Sequence, residues 1–391
     1  MASLSLAIAS AGRFHVLDLA RELDSLGHAV RFHSYVPSAR AQRFGLPARC
    51  CADVLPFAAP GLAWQRLLPG FMPGGATATL EAGLNLGTIA RLRPCDVFIC
   101  MSGIYLEAAA YARRRHGAQV WLHRGSRHIL SQDEILAAVP GAERPSAAAI
   151  KRELAGYRLA DRIVVQSRHV VESFARDPEI AAKVVRIPTG TDVGVFKPRP
   201  GPAPRVTLPM SLLFVGTWSL RKGCDTLAAA VRATPGVSLT HVGSLGDLAF
   251  PSDGRFRTLG RRDQSELPSA YAEADALVLP SREEGLSQVL IQALASGLPI
   301  ICSDRSGGAD LAHTPALAER ITEVAAGDEF ALAAALASLR DRLLAEPLPP
   351  LSEADRETLG WRAYGERYNR ALERYARPSG GSTTSAAAWG A

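Results

Sequence analysis

Apolar residues recur along this chain in two alternating rhythms. The run "LSLAIAS" near the start is strand-length, and Val16, Leu19, Ala20 and Leu23 after it fall on one helical stripe. The alternation continues through "AVRFHSYV" (strand), a helix ending at "IARLRP", "DVFICM" (strand), "YLEAAAYARRRHG" (helix), "QVWLHR" (strand), a helical stretch to Ala160 and "DRIVVQS" (strand). This succession predicts a parallel sheet covered by helices. Residues 196–209, "FKPRPGPAPRVTLP", hold five prolines and no periodicity, the composition of a linker. The rhythm then restarts with "SLLFVGTWS", "CDTLAAAVRAT", "VSLTHVG", "FRTLG", "ALVLPS", a helix within "SQVLIQALAS" and the strand "LPIICS".

The pattern therefore predicts an α/β protein with two Rossmann-like domains facing across a cleft, ligands binding at the carboxyl ends of the strands. The boundaries it suggests are 1–196 for the first domain, 197–209 for the linker and 210–359 for the second domain. The last helix carries Trp361, Tyr364, Tyr368, Leu372 and Tyr375 at helical spacing, so 360–377 is expected to cross back to the first domain. The tail 378–391, "SGGSTTSAAAWGA" in the main, lacks periodicity and is expected to be disordered.

Composition narrows the class. With 391 residues, 47% hydrophobic and 21% charged, the chain reads as a soluble globular protein of two or three domains. No uncharged run approaches a membrane span, and no basic segment with a cleavage site suggests a signal peptide, so a cytoplasmic location is expected. The six cysteines are scattered without a C-x-x-C pair and read as reduced thiols. The formal charge of +6 is too mild to imply nucleic acid, but it favours anionic small molecules or contact with an anionic membrane on the inner face.

Three stretches of the second half carry candidate chemistry. In "FVGTWSLRKGCDTL" a strand ends at Gly216, and Arg221 and Lys222 stand before a helix opened by Gly223. Two cations at a helix N-terminus suit a diphosphate, although a solvated basic turn has the same composition. In "CSDRSGGADL" the pair Gly307 and Gly308 allows close backbone approach to a ligand, or is an ordinary turn. In "PSREEGLSQVLIQALASGLP" Glu283 and Glu284 precede an apolar helix that keeps Gln292. A carboxylate accepts hydroxyl hydrogens of a sugar or ribose. The plainer alternative is helix-start charge and a solvent-facing amide.

Taken together and in order, these stretches resemble the retaining glycosyltransferases called group 1, or family 4. The family pattern V-G-x-x-x-x-x-K-G, then P-S-x-x-E-G with a second acid in the following helix, then a Gly-Gly turn, reads here as "FVGTWSLRKG", "PSREEGLSQVLIQALASGLP" with Gln292 in place of the second acid, and "SGGADL". "ADRIVVQS", "VVRIPTGTDVGVFKP", "YAEADALVLPS" and "SAGRFHVLDLARELDSLGHAV" extend the likeness from about residue 4 to residue 376. The resemblance implies the GT-B fold and transfer of a sugar, with retention, from a nucleotide-diphosphate donor to a glycan, lipid-linked or small-molecule acceptor. It implies that Lys222 and Arg221 neutralise the diphosphate, that Glu284 faces the sugar, and that Gln292 stands where the family's ribose-binding glutamate does. Gly307 and Gly308 would present N–H groups, and Gly12 would form the first-domain turn. Gly216 and Arg261, beside "RTLGRRD", are expected near the nucleotide.

A histidine near the anomeric carbon is also implied, on "VWLHRGSRHILSQDE". Both His123 and His128 stand there, His123 being preferred because it ends the strand, and Arg124 follows as a candidate contact. Two departures concern Thr217, where many members have arginine, and Gln292 itself. No D-x-D, metal-ligand cluster, G-x-x-x-x-G-K-[ST] or G-x-G-x-x-G is present, so no metal and no cofactor is expected and an ATPase or dehydrogenase is disfavoured. The alternatives are a non-catalytic sugar-nucleotide-binding subunit and a GT-B epimerase or phosphorylase. Arg113, Arg114 and Arg115 read as a solvated helix face. "GLAWQRLLPGFMPGG" reads first as core packing and second as an interfacial loop.

Overall fold

The structure is a computed structural model that describes residues 3–68, 71–199 and 206–376. The expected tail at 378–391 and residues 200–205 of the expected linker lie outside these described residues. Contacts group the chain into two compact units. One comprises Met1–His123, Ala155–Arg162 and Tyr368–Ala391, the other Arg124–Leu154 and Ile163–Arg367. The helix Trp361–Tyr375 thus begins in the second unit and ends in the first.

The strands are β1 Ser5–Ala9, β2 Ala29–Ser34, β3 Cys51–Asp53, β4 Val97–Met101, β5 Gln119–His123, β6 Arg162–Val165, β7 Val184–Arg186, β8 Met210–Val215, β9 Val237–Val242, β10 Phe256–Thr258, β11 Ala276–Leu279, β12 Ile300–Ser303 and β13 Ile321–Val324. All of the pairings between them are parallel among the described residues. In the first unit the order is β3-β2-β1-β4-β5, with Leu6 opposite both Val30 and Val97. In the second unit β6 pairs with β7 in parallel. Its own sheet runs β10-β9-β8-β11-β12-β13. That order reverses at β8, which has β9 on one side and β11 on the other, and such a switch point opens a crevice at the strands' carboxyl ends.

The buried faces follow the sequence pattern. Val16, Leu19, Ala20 and Leu23 of helix His15–Ser25 are fully buried. Helix Gln288–Ala295 is apolar apart from Gln288 and Gln292, and it sits in the second unit's core with Trp218, Phe214, Tyr271 and Leu277. The arginines at 113–115 close the last turn of helix Leu106–His116, where cations meet the carbonyl end of the dipole, and Arg113 pairs with Asp161.

The segment read first as core packing differs. Helices Leu55–Leu67 and Pro73–Arg91 form a hairpin, and Leu67, Leu68, Phe71 and Met72 at its tip are exposed. The cause is geometric. Asn85 bonds to Ile104 and Ala108 at the start of helix Leu106–His116, which is the carboxyl edge of the sheet. Helix Leu55–Leu67 starts at that same edge, directly after β3. Residues 73–84, about 18 Å of helix, therefore run beyond that edge together with the helix opposite them.

The hairpin holds itself together through glycines. A Cβ at Gly83 would lie 2.1 Å from the Phe57 carbonyl oxygen, and one at Gly61 would lie 2.5 Å from the Leu80 Cα. Gly83→Val is expected to force the two helices apart and to lower stability by about 1–3 kcal/mol, as overpacked contacts do. Urea denaturation checks this, and an unchanged midpoint would show that the hairpin is not close-packed.

Candidate functional site

The site in the second unit is built at the switch point, on the loops after β8, β11 and β12. The loop after β8 ends at Gly223, whose φ of +70° is left-handed. A side chain there would also drive a Cβ to 2.1 Å from the Pro280 carbonyl oxygen. This tight corner sets Arg221 and Lys222 beside the first residues of helix Cys224–Ala233. Arg282, from the loop after β11, braces the corner by donating to the Leu220 carbonyl at 2.8 Å and to both carboxylate oxygens of Asp225 at 2.5 and 2.7 Å.

The two adjacent glutamates have opposite fates. Glu283 is completely buried. Its carboxylate accepts from Arg221 Nε at 2.9 Å, from the Arg127 backbone N–H at 3.2 Å and from Gln132 Nε2 at 3.2 Å. It therefore fastens the loop after β8 to the segment 124–132, and it is not the helix-start charge of the plainer reading. Glu284 instead turns outward and forms an ion pair with the Lys222 ammonium. Its own backbone is fixed, because His169 Nε2 donates to the Glu284 carbonyl at 3.0 Å. Burial, followed by the charge of Arg127, holds His169 down to about 4, so this imidazole is neutral at pH 7.

Burial, and then the neighbouring Arg221, lower the Lys222 ammonium to about 8, while Glu283 pulls it upward. The direct contact with Glu284 acts in the same upward sense, so the ammonium is protonated at neutral pH. A cavity of about 470 Å³ opens beside it, lined in part by Thr217, Ser219, Arg221, Lys222, Gly246 and Asp247. Thr217, where the resemblance offers arginine, bonds Ser244 at 3.1 Å.

Gly307 and Gly308 follow β12 and are required for packing. A Cβ at Gly307 would come to 2.8 Å from the Gly285 carbonyl oxygen, and one at Gly308 to 2.2 Å from Cys302 Sγ. Gln292 is buried and not solvent-facing. Its Oε1 accepts from the Tyr271 hydroxyl at 2.8 Å, and its amide nitrogen has no hydrogen-bond partner among the described residues. Gly216 directly follows β8 with φ +148°, and its carbonyl accepts from His241 Nε2 at 2.9 Å. Arg261 is exposed on the loop after β10.

The remaining expected residues are placed as follows. Arg124 is buried in an ion pair with Glu153 at 2.9 Å and also donates to Gln132 Oε1 at 2.6 Å. His128 is buried and caps helix Ile129–Ala137, its Nδ1 accepting from the Leu130 N–H. Burial, then Arg176, holds it at about 4. In the first unit His123 is buried with both ring nitrogens engaged, Nδ1 with His15 at 3.2 Å and Nε2 with the Tyr368 hydroxyl at 2.9 Å, and it stacks on the Tyr368 ring. Burial drives its pKa well below the ordinary range. His15, similarly held at about 4 by burial, went unnoticed in the sequence, because a histidine opening an amphipathic helix has no distinguishing spacing. Gly12 turns at φ +157°, and a Cβ there would touch the Tyr35 hydroxyl at 3.1 Å.

Residues 13–195 match the family described as Glycosyltransferase Family 4, and residues 209–342 match Glycosyl transferases group 1. The chain belongs to this family of glycosyltransferases. Among curated members, the D-inositol 3-phosphate glycosyltransferase of Segniliparus rotundus is 31% identical over 173 residues, covering 38% of this chain and 38% of the relative. Glycogen synthase of Mycobacterium tuberculosis is 33% identical over 123 residues, covering 28% of each. These matches span about two fifths or less of the relatives' own length. Sucrose-phosphate synthase from Thermosynechococcus elongatus shares the fold with a TM-score of 0.66 at 20% identity, covering 94% of this chain and 98% of that one. The Anabaena protein HepE, solved with UDP-glucose, gives 0.59 at 14% identity over 95% and 100%. At these identities the likeness establishes the fold, which is GT-B.

Within this family fold the two glutamates should separate by experiment. Glu283→Ala leaves Arg221 and a backbone N–H without their acceptor and is expected to lower unfolding free energy by about 2–4 kcal/mol. Glu284→Ala removes a partly exposed ion pair and should cost less than about 1 kcal/mol. Urea denaturation of both variants checks the contrast, and equal losses would contradict the assignment.

Proposed function

We propose that this glycosyltransferase moves a sugar from a nucleotide-diphosphate donor to a hydroxyl acceptor, with retention and without a metal. The observation that carries the reading is the Lys222–Glu284 pair beside a helix start, at the switch point of a parallel sheet. A cation and a hydroxyl acceptor in one ion pair match the two ends of the donor's reactive bond. The diphosphate would take the ammonium, and the sugar hydroxyls would donate to the carboxylate. Each charged group thus exchanges one partner for another, and neither is left unpaired.

Arg221 stands next to the ammonium, and the N-terminal end of helix Cys224–Ala233 adds its dipole. Together they would stabilise the anion that develops as the glycosidic bond breaks. That bond passes through an oxocarbenium-like state. In the reading we prefer, the departing phosphate accepts the proton of the acceptor hydroxyl while that oxygen bonds to the anomeric carbon on the same face. Gln292, its oxygen committed to Tyr271, would offer its amide N–H to a ribose oxygen, where a glutamate would accept. The readings as a sugar-nucleotide epimerase, a phosphorylase or a non-catalytic binding subunit gain no specific support from these contacts. The reading is supported in kind by HepE, which is described in complex with UDP-glucose, and by curated relatives named as a glycosyltransferase and a glycogen synthase.

The test is a donor screen that follows release of nucleoside diphosphate with mixed acceptors, with and without EDTA. Turnover should persist in EDTA and fall at least about 100-fold in Lys222→Ala and Glu284→Ala. Binding should divide them: Lys222→Ala loses affinity for free nucleoside diphosphate, whereas Glu284→Ala, which frees the ammonium, keeps or gains it. Full turnover in both variants would overturn the proposal. Turnover lost on adding EDTA would overturn metal independence, and conversion of a donor sugar with no acceptor would favour an epimerase.

The lysine also sets a pH dependence. Its free-state value of about 8 must rise when a diphosphate stabilises the charged form. Affinity is then flat below pH 8 and declines up to about tenfold per pH unit above it. Lys222→Arg, whose guanidinium keeps its charge, should flatten that decline. Calorimetric titration across this range checks it, and an identical decline in the variant would contradict the role of Lys222.

A further inference from the structure

The projecting hairpin of the first unit ends in an apolar cluster that is exposed among the described residues. Leu67 is 74% exposed, Leu68 53%, Phe71 58% and Met72 61%. Scattered exposed apolar residues are ordinary, but four of them at one tip are not. The tip is also built. Trp64 Nε1 donates to the Phe71 carbonyl at 3.0 Å, and the two rings stack with centroids 6.4 Å apart. The glycine-packed helices behind it hold this wedge beyond the strands, as described above.

We propose that this tip is a docking surface for an anionic lipid bilayer. Its charge pattern selects that occupant. No acidic residue lies between Asp53 and Glu81, and Arg66 is the one cation of the stretch. A carboxylate-free apolar tip on a chain of formal charge +6 meets an anionic headgroup layer without repulsion. Apolar side chains flanked by a tryptophan and an arginine suit the boundary between headgroups and acyl chains, where such wedges sit about 5–10 Å deep. A second copy of the chain fits less well, because four side chains fall far short of the roughly 800 Å² per partner that a stable dimer buries. Among the described residues no helix is long and apolar enough to cross a membrane, so the contact is one of lying on the surface. The inference does not depend on the donor chemistry proposed above.

The full chain should float with vesicles of phosphatidylcholine mixed with phosphatidylglycerol and bind less well to phosphatidylcholine alone. The double variant Leu67→Ser with Phe71→Ser, at exposed positions, should keep the wild-type melting temperature and reduce the bound-to-free ratio by at least about tenfold. Arg66→Glu, a single surface change that leaves the wedge intact, should weaken binding to the anionic vesicles and leave binding to neutral ones unchanged. The proposal is overturned if the wild type stays behind when anionic vesicles float. It is also overturned if the double variant floats as well as the wild type, or if that variant, without vesicles, converts a dimer to a monomer.

Discussion

A fully buried carboxylate with three donors organises the second unit's site. Glu283 has no contact with solvent, so it must be satisfied from within. Arg221, the Arg127 backbone and Gln132 satisfy it, and they come from two separate stretches of chain. Fixing that one carboxylate fixes the loop after β8, the loop after β11 and the segment 124–132 against one another. The next residue, Glu284, is thereby turned toward Lys222, and a buried anchor and a half-buried ion pair stand side by side. Glu284 is held from behind as well, by the neutral His169 on its carbonyl and by Ser167, whose hydroxyl donates to Gly285 at 2.9 Å.

This division of labour bears on how a charged ligand can be both bound and released. A bare lysine beside a helix start would hold a diphosphate strongly and pay its own desolvation when empty. If this is the donor site, as proposed, pairing the lysine with Glu284 keeps it near charge balance when empty. A donor carries both replacement partners, an anion for the lysine and hydroxyls for the glutamate. A free phosphate carries only the first. On the proposed reading, selectivity for an intact sugar nucleotide would arise from these two side chains.

Much of the fold was legible because its strands and helices are regular and its apolar stripes are unbroken, as in helix His15–Ser25. Strands β3, β7 and β13 escaped because they are short and mostly half-buried, so they set no apolar run. The loops bearing Lys222, Glu284 and Gly307 were found because strand, loop and helix repeat in order. What the sequence hid was which of two adjacent glutamates faces inward, since the donors to Glu283 lie far off in the chain at Arg127, Gln132 and Arg221 and a pair of acids looks symmetrical on paper. Nor could spacing foretell that Tyr271, one helix away in the chain, would occupy the Gln292 oxygen. The hairpin tip was misread because composition reports apolarity and says nothing of how far a helix outruns its sheet. His123 and His128 looked equivalent, and both prove to be buried, neutral and hydrogen-bonded within their own units.

The central claim is that the Lys222–Glu284 pair opens to receive a diphosphate at the start of helix Cys224–Ala233. A crystal structure with a bound nucleoside diphosphate measures this directly. The account predicts phosphate oxygens within hydrogen-bonding distance of Lys222 Nζ, with the lysine released from Glu284 and Glu283 still gripping Arg221. A nucleotide bound elsewhere, or a diphosphate present while Lys222 stays paired with Glu284, would contradict it.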